Sequence, residues 1–199
     1  MGVILFNFSW MTFNVILASI AVVLGWLFFL TSSKILKLSY IILWLLFEPN
    51  TVYLFTDLLN LINQWVRYNN FEKVAFLFQY GALEVICIIT SVLSLYPIEK
   101  FILSTNLSNR RINPTLAIVV INIVVGFGVT LGRVERINSW DVFFNTNKVI
   151  ESCLRIIATP SLLALTILFG FFANLLYFLF RKPIIEFFNI YLSQADAKA

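Results

Sequence analysis

The chain has 199 residues, of which 60% are hydrophobic and 12% charged, with a formal net charge of +4. A soluble domain carries about 25% charged residues. The composition therefore excludes a water-soluble globule and predicts an all-α integral membrane protein forming a single polytopic domain over 1–199.

The apolar runs are continuous and do not alternate in period two, which excludes a β-barrel. There is no basic tail to grip a polyanion, so no nucleic acid is expected as a partner. The chain contains no histidine, which removes His-ligated haem, His-ligated zinc and imidazole acid–base catalysis. Cys87 and Cys153 stand apart without a C-x-x-C spacing, so neither an iron–sulfur cluster nor a thiol redox pair is predicted. Cys87 reads as a small core residue. No cofactor and no metal site is expected.

A helix of about 20 apolar residues crosses the ~30 Å hydrocarbon layer. Residues Met1 to Thr12 are mostly apolar and lack the basic start of a cleavable signal peptide. They read as an interfacial segment or as an extension of the first span. Spans are predicted at about 13–31, 38–56, 74–96, 115–131 and 160–180.

The second span carries Glu48-Pro49-Asn50-Thr51, then Tyr53, Thr56 and Asp57. Pro49 cannot donate to the Leu45 carbonyl, so the span should kink there. Inside a bilayer the freed carbonyl needs another partner. The fourth span runs directly into Gly132-Arg133-Val134-Glu135-Arg136-Ile137-Asn138-Ser139-Trp140-Asp141, which places two arginines and a tryptophan at one membrane surface. Beyond it, Phe143, Val149, Ile150, Cys153, Leu154 and Ile157 recur at helical spacing, with Asn145, Lys148, Glu151 and Arg155 mainly between them. This pattern predicts an amphipathic helix at about 141–157 in the interface plane. Asn138 is placed to cap it, with Asp141 three residues on as in a capping box.

Lys34, Lys37, Lys100, Arg110, Arg111, Arg181, Lys182 and Lys198 fall on one side of these spans. Arg67, Lys73, Arg133, Arg136, Lys148 and Arg155 fall on the other. The bias places the amino end outside and the carboxyl end in the cytoplasm. Spans two and four then both run outward, and Asp57 comes within reach of Arg133 or Arg136, which are one helical turn apart. The expected site is an outer-face polar pocket of Asn50, Asp57, Arg133, Arg136, Asn138 and Asp141. The competing expectation is structural: polar groups at span ends meet headgroups routinely, Trp140 is an interfacial anchor, and Asn-Ser-Trp-Asp is a helix cap.

Glu48 and Glu84 fall well inside predicted spans, where carboxylates are functional hypotheses by default. They read either as a proton- or cation-handling site or as protonated acids hydrogen-bonding a neighbouring helix or subunit. Asn14, Asn122 and Asn174 read as hydrogen bonds between helices.

Trp44, Leu45, Phe47, Pro49, Asn50, Tyr53, Thr56, Asp57 and Leu58 fit the pattern W-L-x-F-x-P-N-x-x-Y-x-x-T-D-L, and Leu131 to Asp141 fit L-G-R-x-x-R-x-N-S-W-D. With Ser94-Leu95-Tyr96, and with Asn14, Leu17 and Ala18, these stretches resemble the uncharacterised prokaryotic membrane family domain of unknown function 1361 over most of residues 10 to 145. The resemblance implies an integral protein of the bacterial cytoplasmic (inner) or a related membrane, and it implies no reaction. Where relatives often carry histidine after the T-D-L aspartate, this chain has Asn60, and Glu48 and Glu84 stand where the family is usually apolar. The amino end reads as shorter than in many relatives by about one span.

No nucleotide motif, Gly-rich phosphate loop or nucleophile elbow points to independent chemistry. The expected function is that of an accessory or structural subunit of a larger membrane complex. Its partners would be membrane lipids and a membrane-protein partner or second copy. The alternatives are a small-molecule or ion transporter using the buried carboxylates, and a lipid-headgroup enzyme or binder.

Overall fold

The computed structural model describes residues 2–106 and 113–196. Its helices, in chain order, are α1 (Gly2–Leu30), α2 (Lys34–Phe47), α3 (Pro49–Thr56), α4 (Leu58–Trp65), α5 (Asn70–Asn106), α6 (Pro114–Arg133), α7 (Asp141–Phe144), α8 (Thr146–Ala158) and α9 (Pro160–Asp196). Five stretches are long and apolar enough to cross a membrane: Gly2–Leu30, Lys34–Ile62, Asn70–Thr105, Pro114–Arg133 and Pro160–Ile190. The protein is thus a multi-pass, all-helical membrane protein.

The helix starts follow local chemistry. Asn113 caps α6 by accepting from the N–H groups of Thr115 (3.0 Å) and Leu116 (3.4 Å), and Pro114 fills the first helical position, where no N–H is needed. Asn69 and Glu72 form a reciprocal capping box at the start of α5, with Glu72 N–H donating to Asn69 Oδ1 at 3.0 Å and Asn69 N–H to Glu72 Oε2 at 3.3 Å.

Several helices outrun the apolar runs. The first span begins at Gly2 and not near residue 13, so the amino-terminal stretch extends it. α5 continues through Pro97 to Asn106, which puts Lys100 on a helix and not in a connecting loop. α9 continues past residue 180 and carries Arg181 and Lys182. Backbone hydrogen bonding carries each helix on beyond the point where its side chains cease to be apolar, so hydropathy alone stops short. The interfacial helix predicted at 141–157 is divided into α7 and α8 by Asn145 (φ −136°, ψ 45°). Arg110, Arg111 and Lys198, part of the orientation argument, lie outside the described residues.

The short helix α3 sits at the centre, packed against α1, α5 and α6, and buries Thr51, Val52, Leu54 and Thr56. α6 packs along α9 through a small-residue seam. A Cβ on Gly126 would lie 2.5 Å from the Thr166 carbonyl oxygen and 2.9 Å from Gly170 Cα. Only glycine permits that approach. Thr130 and Thr166 join hydroxyls at 3.1 Å, and Asn122 Nδ2 donates to Asn174 Oδ1 at 3.0 Å. Asn174 Nδ2 donates to the Gly170 carbonyl at 2.9 Å.

The bundle has two chemically distinct ends. At one, Arg181 pairs with buried Glu99, and the Tyr177 hydroxyl donates to Glu99 Oε2 at 2.7 Å. Lys37 lies over the Phe101 ring there, 4.6 Å from its centroid. The opposite end holds Asp57, Arg133 and the loop that leads to α7.

Candidate functional site

At the Arg133 end, span two is interrupted twice. Glu48 separates α2 from α3, and Asp57 separates α3 from α4. Pro49 accounts for the first break. Side chains then serve the carbonyls at the end of α2. Ser139 Oγ donates to the Leu46 carbonyl at 2.8 Å, and Asn50 Nδ2 donates to the Phe47 carbonyl at 2.9 Å. Asn50 Nδ2 also approaches Ser139 Oγ at 3.3 Å. The proline ring rests on α6 at Gly128, where a side chain would collide with it.

The second break presents a charge. Asp57 is 2% exposed, and its Oδ1 accepts from Arg133 Nη1 at 3.1 Å. Its Oδ2 accepts from Asn14 Nδ2 of α1 at 3.1 Å. Arg133 also donates to the Thr56 carbonyl at 3.0 Å and to the Tyr53 hydroxyl at 3.3 Å, and its guanidinium lies over the Tyr53 ring. One ion pair thereby fastens α1, α3 and α6 together. A guanidinium has five N–H donors, and three hydrogen bonds from this one are made within the described residues. Two donors remain for another acceptor.

Arg136 does not join Asp57. It occupies the left-handed region, with φ 53°, which ordinarily favours glycine. The chain reverses there after α6, and the Ile137 N–H returns to the Leu131 carbonyl at 3.1 Å. The turn throws the Arg136 side chain outward, where it is exposed and makes no side-chain hydrogen bond or ion pair within the described residues. Lys148 Nζ approaches its carbonyl oxygen at 3.5 Å.

Asp141 has a separate task. It is buried, and its Oδ2 accepts from the Asn138 N–H at 2.7 Å while its Oδ1 accepts from Asn145 Nδ2 at 3.1 Å. The Asn138 N–H first, then the Asn145 amide, holds its carboxyl below the usual carboxylate range. Asn138 does not act as the N-cap expected from the capping-box spacing. Trp140 takes the cap position, and only the return arm from Asp141 to the Asn138 N–H forms. Glu135 anchors the same loop to α8, accepting from Ser152 Oγ at 3.2 Å and pairing with Arg155 at 3.5 Å.

The expected six-residue pocket is therefore divided. A polar chamber of about 480 Å³ is lined by Tyr53, Asn60, Gly132, Arg133, Arg136 and Asn138. Asp57 stands behind Arg133, Asn50 lies at the α2–α3 kink, and Asp141 organises the loop. None of these three lines the chamber.

Glu48 and Glu84 lie elsewhere, at the α2–α3 break and on α5. Glu48 is fully buried and accepts from Ser94 Oγ, which in turn accepts from Trp44 Nε1 at 2.8 Å. Thr51 Oγ1 lies 3.4 Å from its other oxygen. Glu84 is half-buried, and its Oε1 has no hydrogen-bond partner among the described residues.

Sequence reasoning misses several contributors. Tyr53 and Thr56 lie within the motif, but nothing in its spacing assigns them to Arg133. Ser139 reads as part of a cap and serves instead as a clasp on α2. Glu99 falls beyond the third apolar run, although Tyr177 and Arg181, four residues apart on one helix face, are a usable signal for a shared partner. Asn7 and Gln64 form a reciprocal amide pair (2.8 and 3.0 Å) between α1 and α4 that nothing in the sequence pattern indicates.

Among the described residues no cluster of three histidine, cysteine or acidic side chains is placed to hold a metal ion. What the chamber offers is a set of hydrogen-bond donors: two guanidinium groups, two amides and a phenol hydroxyl. Such a set suits an oxyanion. No curated protein and no solved structure matches the chain. Residues 13–176 match the family described as "Protein of unknown function (DUF1361)", and the chain belongs to that family.

Proposed function

We propose that the protein binds the anionic headgroup of a membrane lipid at the Arg133 end, without carrying out chemistry on it. The observation that carries this reading is Arg136. Its guanidinium is unengaged among the described residues and stands on the rim of a chamber whose wall includes the spare donors of Arg133. A backbone strained into the left-handed region at a polar rim is the kind of cost retained for a contact. Charge supports it too. The two charged side chains that line the chamber, Arg133 and Arg136, are both basic. The basic-residue bias of the loops orients the chamber to the outer face of the bacterial cytoplasmic or a related membrane, with the amino end outside.

Native mass spectrometry of the protein extracted gently from a membrane of mixed zwitterionic and anionic lipids tests this. The expected result is selective retention of an anionic lipid, lost in Arg136→Gln. Equal retention of both lipid classes, or none, overturns it.

A second reading, the accessory subunit of a larger complex or a homo-oligomer, is favoured by a different feature. Val66 (85% exposed) and Phe71 (80% exposed) are bare at the α4–α5 turn. An apolar tip beyond the end of span two fits a protein partner. A stoichiometric protein partner in the same spectra, with no lipid, would select it.

A further inference from the structure

The polar chamber does not stand alone. It shares Tyr53, Gly132 and Asn138 with a second, mostly apolar cavity of about 260 Å³. That cavity is walled by Phe13 and Leu17 of α1, Leu45 and Pro49 at the kink, and Val124 and Phe127 of α6. Val124, Gly128 and Gly132 follow one another at four-residue intervals along one face of α6. At 1.5 Å per residue, the cavity therefore extends about 12 Å from the polar surface toward the bilayer centre. Phe13, Leu45 and Val124 are about half exposed, so the cavity is a groove open sideways to the surrounding hydrocarbon.

Resting on the headgroup reading above, we infer that this groove takes the hydrocarbon chain of the same lipid. The ligand is then a whole anionic amphiphile, drawn in laterally between α1 and α6, and not a free anion. Three observations select that occupant. The order of polarity, basic at the surface and apolar below, matches a lipid standing in its own leaflet. The positive rim is complementary to an anionic headgroup. The groove is too small for a partner helix, which is about 10 Å across. Binding pockets for whole ligands measure about 300–1,000 Å³, so the groove alone is undersized, and only together with the chamber does it suit one molecule.

Three probes and two groups of variants test this in detergent-solubilised full-length protein. The probes are dioctanoyl phosphatidic acid, glycerol 3-phosphate and dioctanoylglycerol. Val124→Trp and Leu17→Trp fill the groove, and Arg136→Gly removes a headgroup donor at a backbone angle glycine prefers. Wild-type protein is expected to bind phosphatidic acid at least tenfold more tightly than either other probe. The tryptophan variants should lose at least tenfold for phosphatidic acid and keep their affinity for glycerol 3-phosphate. Arg136→Gly should weaken both anions.

Unchanged phosphatidic acid affinity in both tryptophan variants overturns the groove assignment and leaves the headgroup reading standing. Failure of wild-type protein to bind any anion removes both. Should the tryptophan variants not fold, wild-type protein is photolysed with a phosphatidic acid carrying a diazirine on its chain. Adducts on Leu17, Leu45 or Val124 support the groove, and adducts confined to other faces overturn it.

Discussion

The Ser139 hydroxyl donates to the Leu46 carbonyl at 2.8 Å, across 93 residues of sequence. The loop after α6 thus completes the hydrogen bonding of the broken end of α2, next to Pro49. In a bilayer the alternative is an unsatisfied carbonyl, because no water is present to serve it. Ser139→Ala is expected to lower stability in detergent by about 1–3 kcal/mol, the cost of one orphaned buried polar group. Amide hydrogen exchange should rise at Thr51 and Val52 without change in α9. Exchange that is unaltered around the kink would mean that the clasp is incidental.

Asp57 and Arg133 are predicted to be energetically coupled. The Asp57 side chain is 3% exposed and that of Arg133 22%. Removing one partner of a buried pair strands the other charge, at about 3 kcal/mol. Asp57→Asn and Arg133→Gln should each cost about that much, and the double variant clearly less than their sum. Strictly additive losses in thermal unfolding would show that the pair contributes nothing as a pair.

Gly126→Ala should force α6 and α9 apart. The added carbon meets backbone atoms and not flexible side-chain tips, so the expected loss is about 1–3 kcal/mol. Gly81→Ala is the matched control, because nothing lies within 4 Å of the place its methyl group would take. It should be neutral or stabilising by up to about 1 kcal/mol through helix propensity. Equal effects of the two substitutions would refute the close-packed seam.

Acid should loosen the loop before α7. Folding lowers the proton affinity of Asp141, chiefly through the Asn138 N–H, so the folded state favours the ionised carboxylate. That contribution is complete above the unfolded carboxylate value of about 3.9 and disappears as pH falls through the lower folded value. Thermal stability of wild-type protein should therefore fall more steeply toward low pH than that of Asp141→Asn. Parallel profiles between about pH 6 and pH 3, the range bracketing that carboxylate value, would assign the acid sensitivity to other groups.

Much of this molecule is legible in its residues, for identifiable reasons. A run of apolar side chains can satisfy its backbone in lipid only as a helix, so the number of spans and their approximate places follow from composition along the chain. Pro49 lacks an N–H whatever surrounds it, so the kink follows from one residue. The motif stretches 44–58 and 131–141 mark the Arg133 end for a similar reason: charged groups that close to a span are costly unless partnered.

The partners themselves were decided by tertiary structure. Arg133 and Arg136 lie one turn apart in sequence, yet only Arg133 is still on α6 when the chain reaches the surface, and the left-handed turn at Arg136 sends its side chain away from Asp57. Glu99 found Tyr177 and Arg181 because α5 did not stop where its apolar run did. Helix ends, turn handedness and the side-by-side placement of chamber and groove depend on contacts between segments far apart in sequence, and local pattern carries no record of those.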